Sequence, residues 1–234
     1  VQDGGETGVD CGGPCAICPV VLVLGGNNTA GTLGASYAPT AAAENTAAWS
    51  VSATGPKTTD AVALAINKLG QGVGMLRVAA AGGTNNDVQY TTWTAGPPTW
   101  TGFANIGGSA KTDLAPALAS TPGGNVHAAY RINGDTHFDY AIFNVSWNPT
   151  AETVGVGAAQ SAGVAPPCLA ELPGGNDTLV YINGVGAPYG VFAKDRVAGT
   201  WAAEQTVAAA SSKLIAPTVV AMTAGASDLL AAYV

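Results

Sequence analysis

The feature that most constrains this chain is a passage written more than once. Ala115-Pro116-Ala117-Leu118-Ala119 leads through Pro122-Gly123-Gly124-Asn125 to Val126-His127-Ala128-Ala129-Tyr130. Ala165-Pro166-Pro167-Cys168 leads in the same way through Pro173-Gly174-Gly175-Asn176 to Leu179-Val180-Tyr181, and Ala216-Pro217-Thr218 leads through Gly225 to Leu229-Leu230-Ala231-Ala232-Tyr233. A unit that returns about every 50 residues is one supersecondary element that cannot bury its apolar faces alone and must stack on its neighbours. The repeat is therefore the frame for every other residue.

Earlier copies are legible once the period is known. Residues 61–77 align without a gap on 115–131, placing Leu64 on Leu118, Leu76 on Tyr130 and Arg77 on Arg131. Tyr90, Tyr140 and Tyr189 open the runs Tyr-Thr-Thr-Trp, Tyr-Ala-Ile-Phe and Tyr-Gly-Val-Phe, and Trp100, Trp147 and Trp201 each precede one more short β-prone run. Tyr37 and Trp49 fit the same landmarks in a first copy. Each unit thus offers several short strand candidates, and with Gly at 32 residues and charged residues at only 10% the composition suits strands and tight turns rather than salt-bridged helices. Four short strands and a tryptophan per unit predict an all-β chain, a β-propeller of four-stranded antiparallel blades. The expected blades span 20–57, 58–110, 111–162 and 163–212, with part of a fifth in 213–234. Val1 is not an initiator Met and Val234 falls inside a repeat, so the sequence reads as four to five blades of a larger propeller. Within one unit Val126, Ala128, Tyr130 and Ile132 point one way and His127, Ala129 and Arg131 the other, and both faces are expected to be buried between blades.

The pattern Ala-Pro, Gly-Gly-Asn-x-His-x-x-Tyr, Asp-Tyr-x-x-Phe, Trp, Glu-Thr-Val resembles a bacterial propeller repeat related in layout to sialidase-like and fucose-lectin propellers. That resemblance implies the blade layout and makes glycan recognition an expectation.

Residues 1–19 have a different character. Cys11, Cys15 and Cys18 crowd a Gly-rich stretch with little apolar surface, which holds a shape only through cross-links or a metal. A Cys-x3-Cys-x2-Cys group is open to zinc or iron–sulfur ligation, although zinc needs a fourth ligand and neither His is near. Asp3-Gly4-Gly5-Glu6-Thr7-Gly8-Val9-Asp10-Cys11-Gly12-Gly13-Pro14-Cys15-Ala16-Ile17-Cys18 resembles a cysteine-rich motif of secreted and surface-anchored bacterial proteins, in which a further Cys lies just upstream. The resemblance implies disulfides at Cys11, Cys15 and Cys18 and a secreted or cell-surface location. Asp3, Glu6 and Asp10 are candidate calcium ligands on the same loop, against the plainer reading of solvated acids in a linker; the spacing of an EF-hand is missing.

A net charge of −7 with eight Lys and Arg argues against a nucleic-acid partner, because phosphate binding needs clustered cations. The longest apolar run, Pro19 to Leu24, is far short of a spanning helix, so no membrane insertion is expected. Trp49, Trp100, Trp147 and Trp201 are the candidate ligand contacts, since aromatic faces stack on sugar rings; one Trp per blade also suits packing between blades. His127 and His137 flank one hairpin and, with Asp135 or Asp139, form a possible metal pair or, more plainly, hydrogen-bonded groups. Arg77 and Arg131 share one repeat position, a structural pattern rather than a sialidase arginine cluster. No Gly-x-Ser-x-Gly nucleophile motif is present, and Gly70-x-Gly72-x-Gly74 falls where other copies have a turn. The expectation is a non-catalytic binding or adhesion module for glycans or a surface protein, without cofactor unless calcium binds. A glycoside hydrolase or lyase at the mouth of the central channel, and a structural spacer, are the alternatives.

Overall fold

The computed structural model describes residues 20–26, 32–39, 50–58, 60–67, 69–78, 86–95, 98–107, 110–120, 124–148, 150–155, 165–172, 175–183, 188–211, 217–221 and 229–232; Asp3, Glu6, Asp10, Cys11, Cys15, Cys18 and Trp49 lie outside them. Among the described residues every regular element is a strand, and no helix is long and apolar enough to cross a membrane. The first sheet holds β1 (Val20–Gly26), β2 (Thr32–Pro39) and β3 (Ser50–Lys57). The second holds β4 (Ala63–Ile66), β5 (Gly72–Arg77), β6 (Val88–Ala95), β7 (Pro98–Trp100) and β8 (Ala104–Asn105). The third holds β9 (Ala117–Ala119), β10 (Val126–Arg131), β11 (Phe138–Asn144), β12 (Ser146–Trp147) and β13 (Glu152–Val154). The fourth holds β14 (Cys168–Leu172), β15 (Asn176–Asn183), β16 (Tyr189–Val197), β17 (Thr200–Trp201) and β18 (Gln205–Ser211), and β19 (Thr218–Ala221) with β20 (Leu229–Ala232) makes a fifth, two-stranded sheet.

All pairings among the described strands are antiparallel, most of them between consecutive strands joined by short turns, and in three blades the last strand pairs the one two before it. In the β10–β11 turn Gly134 takes φ 74°, a left-handed value that glycine adopts without Cβ strain, and Ile132 N–H donates to the His137 carbonyl at 3.0 Å to close the hairpin. The first strands of successive sheets, β1, β4, β9, β14 and β19, touch one another in chain order. The sheets therefore radiate from their first strands, and the fold is a β-propeller with each sheet a blade.

Alternation then decides what each face buries. Val126, Ala128 and Tyr130 of β10 face the second blade, where Met75, Val88 and Ile106 join Ala128, Tyr130 and Ala141 in one cluster. Ala129, on the opposite face, packs with Phe138, Tyr140, Leu169, Leu179 and Tyr181 in the seam with the fourth blade. All six residues of β10 are buried, which a central strand sandwiched on both faces must show. Each large side chain hidden in such a seam contributes about 1.5–3 kcal/mol of transfer free energy, so the seams between blades carry the stability.

The fourth strand of a complete blade comes in two pieces. β12 pairs the end of β11 and β13 pairs its start, so the ladder is broken at 148–151. Asn148 repairs it: the Ile142 N–H donates to Asn148 Oδ1 at 2.8 Å, and the Asn148 N–H donates to the Ile142 carbonyl at 2.9 Å. Thr101 does the same in the second blade, its Oγ1 accepting from the Thr92 N–H at 2.9 Å. A buried N–H left open would cost about 1–3 kcal/mol, so a side-chain acceptor at this position is what lets the strand break.

One landmark shifts in the fourth blade. Tyr90 sits opposite Met75 and Tyr140 opposite Ala129, equivalent places in the ladder, but Ala193 stands opposite Val180 in the fourth blade and Tyr189 lies four positions nearer the start of its strand.

Candidate binding site

The break in the fourth strand opens a cavity of about 460 Å³ between the second and third blades. Its floor is apolar, with Ile106 and Ala110 from the second blade's end and Ala141 and Ala151 from the third. Its walls are polar: Tyr130, Asp139, Asn133, Asn148, Thr153 and Lys111. Tyr130 and Asp139 are directly opposite in the β10–β11 ladder, and Asp139 is opposite Thr153 in the next pairing, so three side chains of one face are lined up across the blade. The Thr153 hydroxyl donates to Asp139 Oδ1 at 3.3 Å, and the Tyr130 hydroxyl also bonds that carboxylate. Burial holds the Asp139 carboxyl above the usual carboxylate range, and burial with the adjacent charge of Asp139 holds the Tyr130 phenol well above its own.

The mouth of the cavity is strapped by contacts between blades. The Asn133 N–H donates to the Lys111 carbonyl at 3.1 Å, and Asn86 Nδ2 donates to Asn133 Oδ1 at 3.0 Å. Lys111 Nζ lies 2.7 Å from Asp87 Oδ1, beside a backbone bridge between the same two residues. The mouth is thus defined by bonded groups, and its polar atoms are aimed rather than loose.

The tryptophans singled out in the sequence sit in the seams. Trp100, Trp147 and Trp201 pair with Trp93, Phe143 and Arg196 at equivalent places in their ladders. Trp100 is 4% exposed. Trp147 presses edge-on against Tyr90 of the preceding blade, with ring centroids 5.7 Å apart at 79°, and Trp201 repeats the contact on Tyr140 at 5.3 Å and 84°. The Nε1 atoms of Trp147 and Trp201 are buried without a hydrogen-bond partner among the described residues. None of the three lines the cavity, although Trp147 packs on the cluster that floors it.

The next seam, between the third and fourth blades, is closed by charge. Arg196 occupies the position that Phe143 holds one blade earlier; it lies 4.7 Å over the Tyr140 ring and grips Glu152 with Nε at 3.0 Å and Nη2 at 2.6 Å. Behind it, Asp177 is fully buried and accepts from the Tyr140 hydroxyl at 2.6 Å, with His127 Nδ1 2.7 Å from its other oxygen and Glu171 4.0 Å from that nitrogen. His127 therefore does not meet His137: its side chain reaches the neighbouring blade, while His137 Nδ1 is 2.7 Å from Asp135 in the turn. Opposite Ile142, His127 is too far down the hairpin for a shared metal, and among the described residues no three His, Cys, Asp or Glu are grouped to hold one. Arg77 and Arg131 each reach an acid ahead of their blade's first strand, Asp60 and Asp113, a repeated tie rather than a carboxylate-binding cluster.

Sequence reasoning placed Tyr130 on one strand face and Asp139 beside His137, but missed that the two are opposite in one ladder and share with Lys111 a cavity between two blades. A signal existed in the repeat itself: Leu76 stands where Tyr130 does and Gln89 where Asp139 does, so the third copy places a phenol and a carboxylate where its sibling is apolar or neutral.

The sequence matches no protein-family model and no curated protein. Its fold is similar to that of Penicillium chrysogenum alpha-L-arabinanase complexed with arabinobiose, at 12% identity and TM-score 0.53 over 86% of this chain and 67% of that one. It is similar to an arginine-substituted mutant of AofleA from Arthrobotrys oligospora (10% identity, TM-score 0.53, 82% of this chain and 54% of that one) and to a mutant Aleuria aurantia lectin in complex with alpha-methyl-L-fucoside (12%, 0.50, 77% and 53%). The chain spans about half the length of the latter two. At such identities the likeness establishes the propeller fold.

Proposed function

We propose that this chain is a glycan-binding module without catalytic activity, exported by a bacterium and displayed at or beyond the cell surface. The observation that carries the reading is the cavity between the second and third blades, which sets hydroxyl, amide and carboxylate groups around an apolar floor. Sugars present that same combination, hydroxyls around a ring with one apolar face, and ligand cavities of this size enclose about one or two such rings. The fold's likeness to a fucoside-bound lectin and to an arabinobiose-bound arabinanase supports a ligand of this chemical class.

Binding is favoured over hydrolysis by the acids. Glycoside cleavage uses a pair of carboxyl groups on either side of the scissile bond, and among the described residues that line the cavity Asp139 is the single carboxylate. Export rests on the resemblance of residues 1–18 to a secreted-protein motif. The tryptophans enter the proposal through Trp147, which supports the cavity floor.

Screening the chain against an immobilised glycan panel tests the proposal. Tyr130→Phe and Asn133→Ala are expected to reduce binding about tenfold each, one hydrogen bond to a ligand being worth on the order of 1 kcal/mol or more, with melting temperature unchanged for Asn133→Ala. Failure to bind any glycan, or binding indifferent to both substitutions, refutes the assignment to this cavity.

A further inference from the structure

The charges around the cavity do not cancel, and their imbalance points to a narrower class of ligand. Two nitrogen-bearing side chains that could carry positive charge lie near it, and both are engaged elsewhere: Lys111 Nζ is 2.7 Å from Asp87, and His137 Nδ1 is 2.7 Å from Asp135. Asp139 has neutral donors, Thr153 and Tyr130, and among the described residues no Lys, Arg or His stands within ion-pair distance of it. The cavity therefore contains a half-buried carboxylate for which no described residue supplies a counter-charge within ion-pair distance. Building on the glycan-binding reading, we propose that the cavity selects sugars bearing a protonated amine, unacetylated hexosamines, with the Asp139 carboxylate as the acceptor for the ammonium.

The physical case runs through desolvation. A carboxylate partly removed from water without a cation is penalised, and the raised pKa of Asp139 is that penalty. A ligand ammonium relieves it through a charge-assisted hydrogen bond, about twice as strong as a neutral one. An N-acetyl group presents a neutral amide there, and a uronic acid or sialic acid brings a second negative charge into a chain already at −7. The groups that face Asp139 from neighbouring elements are Tyr130 of β10, Thr153 of β13, Asp135 and His137 of the β10–β11 turn, and Lys111 from the linker out of the second blade. Asp135 opposes ionisation of Asp139, and His137 favours it when protonated.

Calorimetry of the whole chain with a chitosan tetrasaccharide, its fully N-acetylated counterpart and an oligogalacturonate tests the inference. The amine ligand is expected to bind at least about tenfold more tightly than the N-acetylated one. Its affinity should fall as pH drops through the Asp139 pKa, and fall again as rising pH removes the proton from the sugar's amine. It should also weaken with added salt, a readout that needs no substitution. Asp139→Asn, which keeps the side chain's shape, should erase the preference while leaving residual binding of the N-acetylated sugar. Equal affinity for the two chitin-derived ligands, or preference for the galacturonate, overturns the inference. If the N-acetylated sugar binds and Asn133→Ala abolishes that binding, the glycan reading stands while this one falls. Absence of binding in every arm removes both.

Discussion

Asp177 offers the sharpest test of how one blade is held to the next. Its carboxylate is fully buried and joins the Tyr140 hydroxyl at 2.6 Å to His127 Nδ1 at 2.7 Å, both from the third blade. Asp177→Ala strands two buried polar groups, each of which costs about 1–3 kcal/mol when left without a partner. The relief from no longer burying a carboxylate offsets part of that, leaving a net loss of about 3 kcal/mol, at the lower edge of what breaking a buried charged pair costs. With a urea m-value of about 2–3 kcal/mol/M, the unfolding midpoint should fall by about 1–1.5 M at unchanged m. Combining Asp177→Ala with Tyr140→Phe should cost less than the sum of the single changes, because the phenol that Asp177→Ala would strand is no longer there. A coupling of about 0.5–3 kcal/mol is the expected size for groups in one network. A midpoint shift under about 0.3 M, or strict additivity of the pair, would show that the seam does not depend on this carboxylate.

Arg196→Phe installs the ring that Phe143 carries at the equivalent place, so thermal melts should show it within about 1 kcal/mol of the native chain, whereas Arg196→Ala loses the contact over Tyr140 and melts clearly lower. Trp147→Ala removes the edge contacts to Tyr90 and Phe143 and should destabilise by about 2–4 kcal/mol in denaturant titration, less than a fully buried tryptophan because Trp147 is half-buried. Asp139 has a folded-state pKa above its ordinary value, so the protein gains stability from its protonated form at low pH and loses that gain as pH rises through the folded pKa. Asp139→Asn should accordingly gain on the native chain as pH is raised from about 4 to 7, read as the difference in melting temperature. Gly190→Ala drives a methyl into the Phe192 ring, which is stacked on Tyr181 at 6.1 Å, and a lower melting temperature with altered aromatic circular dichroism is expected.

The architecture was readable because it is periodic. Spacing of the Ala-Pro starts, the tyrosines and the tryptophans marks where each strand begins, and the alternation in 126–131 correctly divides β10 into one face toward Met75 and another toward Tyr181. Equal spacing misplaces one landmark, because Ala193 and not Tyr189 takes the ladder position that Tyr90 and Tyr140 hold. The site was far less legible. A cavity between blades is assembled from Lys111, Tyr130 and Thr153, which no local pattern brings together. Reading the repeat for what its copies share highlights packing groups such as Trp147. Reading it for where one copy differs highlights Asp139, Asp177 and Arg196, and these are the residues with chemistry.

The exchange of Phe143 for Arg196 at matching places has a wider consequence. Because a blade shows one side to each neighbour, a substitution in one seam is shielded from the next by a full layer of strand backbone. Each groove between blades is thus free to diverge on its own schedule. A gene encoding such a molecule can revise one seam while the packing of the others is kept, without redesigning the whole.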